Sequence, residues 1–194
     1  MPERKITYTF QSLSINNWKH FENLFGERGA CGGCWCMTWR LTSKEYEKHK
    51  GKGNKQKIYK LAKAEAPLGV IAFKNKIPVG WCSVSPRHTL VRLENSKLLK
   101  RIDDMPVWSI TCLFVQKEFR RKNISSLLIK EAADYAFSNG ATIVEAYPVI
   151  PKKKSMPDVF AFTGIANAYF KAGFKTAHQP NENRLIIRKE IKHA

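Results

Sequence analysis

The chain has 194 residues, and its 34 Lys plus Arg against 16 Asp plus Glu give a formal net charge of +18. With 43% hydrophobic and 11% aromatic residues it can fill a core, which excludes a disordered basic tail. The excess charge then belongs on a surface that attracts anions such as nucleic acid, phosphorylated cofactors or acidic proteins. No apolar run approaches the roughly 18 residues needed to span a bilayer, and the first residues lack the apolar stretch of a signal peptide. A cytoplasmic protein is therefore expected. The five cysteines (Cys31, Cys34, Cys36, Cys82 and Cys112) are odd in number, unlike a secreted disulfide framework. Lysines outnumber arginines 24 to 10. Because arginine's planar fork is the usual reader of base edges, this balance argues against a sequence-specific DNA reader.

In chain order, Ile6–Phe10 alternates as a half-buried strand does. Ser14 precedes a helical pattern through Trp18, Phe21, Leu24 and Phe25 that stops at Gly26. A glycine-rich loop then runs into the aromatic stretch ending at Arg40. Residues 43–65 read as helix broken near Gly51–Gly53; eight lysines fall between Lys44 and Lys63, without regular aromatic platforms, as on a solvated face. Leu68–Phe73 and Ile77–Val84 form a hairpin over Lys74-Asn75-Lys76, and residues 86–105 are polar and part-helical. A strand over Val107–Val115 leads to a helix from Ile124 to Asn139 and a strand over Thr142–Tyr147. A basic loop at Lys152–Lys154, a helix from Val159 to Lys171 and a strand pair (Phe174–His178, Arg184–Ile191) complete one mixed α/β domain. Ser155 to Asp158 has the spacing of a capping box.

The most informative stretch is the strand Val107–Val115, which ends in Arg120-Arg-Lys-Asn-Ile-Ser125 at the start of a helix. Unpaired N–H groups and the positive end of a helix converge there, a geometry suited to a pyrophosphate. Here the chain resembles the GCN5-related N-acetyltransferase (GNAT) family. Asn123 and Ser125 stand where that family's loop usually has glycine, and Asn tolerates a left-handed backbone better than most residues. Asn167–Phe174 carries the family's Tyr, three residues, Gly-Phe ending in Tyr169, Gly173 and Phe174. Cys34–Arg40, Val79–Cys82, Val107–Ser109 and Pro157–Phe160 look like a bacterial branch of these acetyltransferases.

The resemblance implies a mostly antiparallel sheet flanked by helices, with residues 1–66 covering the acceptor site and 67–194 holding acetyl-CoA as cosubstrate. It assigns the coenzyme A pyrophosphate to Arg120, Arg121, Lys122, Asn123, Ile124, Ser125 and Ser126, and the pantetheine arm to Leu113, Phe114 and Val115. Cys34, Trp35, Cys36 and Trp39, with Trp81 and Trp108, are expected around the acceptor pocket. The implied chemistry is transfer to a primary amine, of a small molecule or a peptide, by direct attack. Glu145, near the end of its strand, would take the amine's proton, and Tyr169 would protonate the leaving thiolate or else pack in the core bonded to backbone. Asp104, His88 and Asp158 are reserves for the base.

Cys31-x-x-Cys34-x-Cys36 admits three readings: thiolates of a zinc site completed by His20 or His49, a redox or acyl-accepting thiol, or reduced thiols packed in a tight loop. No metal is expected. Homodimers are common in the family, and neither specific nucleic acid nor membrane is expected as a partner. The rival function is a catalytically inactive, basic binding protein on the same scaffold that associates with nucleic acid or acidic partners.

Overall fold

The computed structural model describes residues 7–151 and 161–191. Seven strands form one sheet: β1 Thr9–Ser12, β2 Gly69–Lys74, β3 Ile77–Pro86, β4 Trp108–Val115, β5 Ile143–Ala146, β6 Lys175–Asn181 and β7 Arg184–Glu190. Their spatial order is β1-β2-β3-β4-β5-β7-β6, with β4 and β5 parallel and the other neighbouring strands antiparallel. The mixed, mostly antiparallel sheet is the expected one. Its β2–β3 hairpin turns through Asn75 and Lys76, both at positive φ as a tight hairpin requires.

Helices cover both faces because β2 and its neighbours are apolar on both. Val70 and Ala72 pack towards α5 (Ile124–Ser138), whose Leu128, Ile129, Ala132 and Ala136 are buried. Ile71 and Phe73 pack the other way, under α1 (Trp18–Phe25) and α3 (Lys52–Lys63). Each aliphatic side chain fully removed from water in these layers contributes about 1.5–3 kcal/mol. At Gly80 the helix comes so close that a Cβ would lie 2.7 Å from the Leu128 side chain.

The lysine-rich segment divides at Gly51 (φ +77°) into α2 (Ser43–Lys48) and α3. The capping box that starts α2 joins Thr42 and Glu45. In α3, Asn54, Ile58 and Ala62 face inward while Lys52, Lys60 and Lys63 are exposed, as expected of a solvated face. Residues 86–105 form a helical turn (Arg87–Thr89) and the short α4 (Val91–Glu94). The last helix, α6, spans Ala166–Lys171 and is shorter than expected, because residues 161–165 form a turn and a bridge to Val149 instead of helix; positions 159–160, the 152–154 loop and the Ser155–Asp158 capping box lie outside the described residues.

The feature that positions the site is the divergence of β4 from β5. The two pair over Trp108–Val144, Ser109–Glu145 and Ile110–Ala146 and then part. Residues 161–166 enter the wedge: Val149 donates its N–H to the Gly164 carbonyl (3.0 Å), and Leu113 donates its N–H to the Phe162 carbonyl (2.7 Å).

Candidate active site

A cavity of about 620 Å³, within the usual range for ligand sites, opens beside the wedge. One end is formed by Leu113, Phe114 and Val115 of β4 with Arg120, Arg121 and Ser125. There Arg121 (φ +59°) and Asn123 (φ +62°) take left-handed conformations and turn the chain into the N-terminus of α5. The glycine-like geometry expected of Asn123 is thus present. Arg120 is braced by an Nε–H bond to the Val115 carbonyl (2.9 Å). The other end and the walls come from Phe25, Cys31, Cys34, Cys36, Thr38, Trp39, Tyr46, Cys112 and residues 161–168.

The structure brings together six of the expected cofactor residues (Leu113, Phe114, Val115, Arg120, Arg121 and Ser125) and, of the acceptor group, Cys34, Cys36 and Trp39. The others do not line the cavity. Ile124 and Ser126 turn into the packed side of α5, while Lys122 lies over the Phe119 ring. Trp35 is buried behind the wall, stacked on Phe25; Trp81 is buried in the same aromatic layer beside Phe21. Trp108, on the opposite face, packs edge-on against Tyr135. The Leu113 amide, expected to pair with pantetheine, already donates to Phe162.

Both residues expected to move protons sit elsewhere. Glu145 is 1% exposed and closed in by cations. Its Oε1 accepts from Arg87 Nη1 (2.8 Å) and the Tyr147 hydroxyl (2.6 Å), and its Oε2 accepts from Arg188 Nε (2.8 Å). Arg87 also donates to Glu94 and to the Leu99 carbonyl. Burial opposes the Arg87 charge, yet Tyr147 and the two carboxylates outweigh it and raise its pKa. A carboxylate engaged on both oxygens and sealed from the cavity is not placed to receive an amine's proton. Instead of the expected base, Glu145 is the anion of a buried cluster with Arg87 and Arg188.

Tyr169 is likewise fully buried, in α6, and donates its hydroxyl proton to the Thr163 carbonyl (2.9 Å). Burial, with Cys82 and Cys112 nearby, lifts its pKa well above the ordinary phenol value, which makes it a poorer acid. Of its two expected roles the core role fits. His88 and Asp104 are exposed, and Asp158 lies outside the described residues. Among the described residues, the cavity wall holds no carboxylate or imidazole.

What the wall does hold is a cysteine group. Trp35 (φ +44°) and Cys36 (φ +60°) are consecutive non-glycine residues at positive φ, a strain of order 1–3 kcal/mol each. Gly29 makes room for this turn, since a Cβ there would overlap the Trp35 indole. The Cys36 sulfur accepts the Trp81 Nε1–H at 3.2 Å. The neighbouring Cys112 thiol favours its ionised form; burial opposes ionisation, but the Arg40 charge, the adjacent Ser83 and the Trp81 N–H add to the pull, and the Cys36 thiol is brought down to about 6. Burial raises Cys34 and Cys82, and the bond to Cys36 together with burial raises Cys112. Among the described residues no three His, Cys, Asp or Glu side chains are placed to hold a metal ion, so the three-thiolate zinc reading finds no support. Composition did not single out Arg40 or Tyr46, although a lone arginine closing the apolar Cys34–Trp39 run was a visible signal.

Comparison with known proteins agrees with this architecture. Residues 35–157 match the model of the acetyltransferase (GNAT) family. No curated protein sequence matches the chain. Among solved structures, the PaiA N-acetyltransferase of Thermoplasma acidophilum in complex with coenzyme A is 17% identical with a TM-score of 0.51, over 95% of this chain and 99% of that one. An aminoglycoside 6'-acetyltransferase type Ii is 17% identical with a TM-score of 0.55, over 96% and 99%. The NatC complex bound to Gag peptide and coenzyme A is 13% identical with a TM-score of 0.52, over 95% and 99%. At these identities the likeness is one of fold.

Proposed function

Since the chain belongs to the acetyltransferase (GNAT) family, an acyltransferase family, we propose that it transfers the acetyl group of acetyl-CoA to a primary amine of a small molecule or peptide. The observation that carries this reading is the cavity itself. It joins a two-arginine loop at a helix N-terminus, where the field favours phosphate by about 0.3–1 kcal/mol per anionic group, to a deep, largely apolar wall. In this reading the segment before β2 supplies the acceptor side and the remainder of the chain the cofactor side. Arg120 and Arg121 meet the pyrophosphate, and β4 carries the pantetheine arm once Phe162 yields the Leu113 amide. Solved relatives with coenzyme A, and one with a peptide, support the donor and the range of acceptors. Five free thiols and a coenzyme A donor fit the reducing cytoplasm.

The direct attack implied by the family resemblance relied on Glu145 as base and Tyr169 as acid. With both closed off, that route retains positioning of the two reactants, which can supply up to about 7–11 kcal/mol of a barrier, and polarisation of the thioester carbonyl by backbone N–H groups of β4.

Thermal shift with acetyl-CoA and CoA, followed by thiol release across a panel of amines, tests the assignment. Ligand at about 100 times its Kd should add about 2.7 kcal/mol of stability. No shift, together with salt-dependent binding to arbitrary DNA, would return the chain to the rival reading of a basic binding protein.

A further inference from the structure

We propose that Cys36 is an acyl acceptor, taking the acetyl group from acetyl-CoA as an enzyme thioester and passing it to the amine. The inference rests on the acetyl-transfer reading of the cavity and adds a covalent step to it.

Four observations converge on this sulfur. First, Cys36 and Cys112 line the same cavity as Arg120, Arg121 and Ser125, so a cofactor anchored by its phosphates at that loop runs its thioester end towards them. Second, Arg40 is buried, donating to Ser85 Oγ and the Leu68 carbonyl; its Nε is unpartnered, and no carboxylate pairs with it among the described residues. An isolated buried cation is costly unless an anion lies near, and the group whose charge bears on Arg40 is Cys36. Third, the sulfur accepts the Trp81 Nε1–H and adjoins the Cys112 thiol, surroundings that suit an anion rather than a thiol that must itself donate. Fourth, the left-handed Trp35–Cys36 turn is strained, and such strain gathers where a side chain must be aimed.

Four of the five cysteines are thereby told apart. Cys36 is ionised near neutrality, whereas Cys34, Cys82 and Cys112 hold their protons more tightly than ordinary thiols. A thiolate is the nucleophilic form, and a thiol of low pKa is also a good leaving group. Such a residue serves both halves of a transfer.

In the first half the Cys36 thiolate attacks the thioester carbonyl. A bond forms between its sulfur and the acetyl carbon, the bond to the coenzyme sulfur breaks, and CoA leaves as a thiolate that takes a proton from water. In the second half the amine, having lost a proton to water, attacks the S-acetyl carbon. The C–N bond forms, the C–S bond breaks, Cys36 departs as the thiolate, and the amide nitrogen gives its extra proton to water. Over the cycle acetyl-CoA and an ammonium become amide, CoA and one proton.

The test is to mix the full chain with acetyl-CoA in the absence of amine, quench in acid, and locate any adduct by intact and peptide mass spectrometry. The expected result is one acetyl mass on the Cys36 peptide with one equivalent of CoA released in a burst. Cys36→Ser should lose both while keeping its thermal stabilisation by CoA. If that variant fails to fold, iodoacetamide modification of the wild type against pH takes its place: Cys36 should alkylate with a midpoint near 6, shielded by CoA. Acetyl transfer to an amine with no acetyl on Cys36, or an ordinary thiol midpoint for its alkylation, overturns the covalent step and leaves the acetyl-transfer reading standing. No stabilisation by CoA overturns both.

Discussion

Two arginines are buried at the end of β3, and their surroundings differ. Arg87 is enclosed by Glu94, Glu145, Tyr147 and the Leu99 carbonyl, and Arg188 and Asp103 extend the cluster to the surface. Arg40 has a serine, a carbonyl and a cysteine sulfur about it, and that sulfur opens on the cavity. The first charge is matched by carboxylates and sealed, so its contribution is to tie β5 to β7 and to the 87–103 segment. The second is matched by a group that can react. A buried charge in a protein of this kind says little about function until its partner, and what that partner faces, are known.

The largest test of this contrast falls on the sealed side. Glu145→Gln leaves Arg87 and Arg188 underpaired and should cost about 3–5 kcal/mol of unfolding free energy, seen as a lower denaturant midpoint. Affinity for CoA in the folded fraction should hardly change. A variant that is stable but catalytically dead would reverse the contrast and restore Glu145 as the base.

The pH dependence of stability comes next. The Cys36 pKa of about 6 in the folded chain lies below its ordinary 9.0, so between those values the unfolded chain binds more protons. Stability should therefore rise as pH increases from about 6 to 9, by at most about 1.4 kcal/mol per pH unit. Above that window Cys34, Cys82 and Cys112 act in the opposite direction, because they hold their protons when folded and lose them when unfolded. Cys36→Ser should flatten the rise. The ion cluster has its own limb: burial opposes it, but Arg101 and Arg87 hold Glu94 below the usual carboxylate value, so this stability is lost in acid. Denaturant midpoints across pH separate the two limbs.

The smallest effect concerns Tyr169→Phe. Losing the bond to the Thr163 carbonyl should cost about 1 kcal/mol and leave turnover within about twofold. A fall in kcat of a hundredfold or more, the usual scale for a general acid, would return proton donation to Tyr169.

Much of the fold was legible because it is encoded locally. The β2–β3 hairpin follows from two apolar runs around Lys74-Asn75-Lys76, and the β4–loop–α5 corner from a strand, three basic residues and a 3.6-residue period. The divergence of β4 from β5 and the entry of residues 161–166 depend on contacts such as Leu113 with Phe162, which no local pattern carries. The same limit explains Glu145. Its position near a strand end was readable, but its partners Arg87 and Arg188 lie 58 residues before it and 43 after it. Cys36 stood out as part of a cysteine cluster. What singles it out from its neighbours is Arg40 four residues on, together with Trp81 and Cys112 from two other segments.

The bond between the Leu113 amide and the Phe162 carbonyl has a thermodynamic consequence. A ligand that pairs with that amide competes with an internal occupant whose local concentration is fixed by the chain. Its apparent Kd is then its intrinsic Kd divided by the fraction of molecules in which the wedge is already vacated. Two homologous pockets with identical wall residues would thus differ in affinity through the seating of one carbonyl, and a substitution at 161–164 that touches no ligand would shift every cofactor analogue by the same factor.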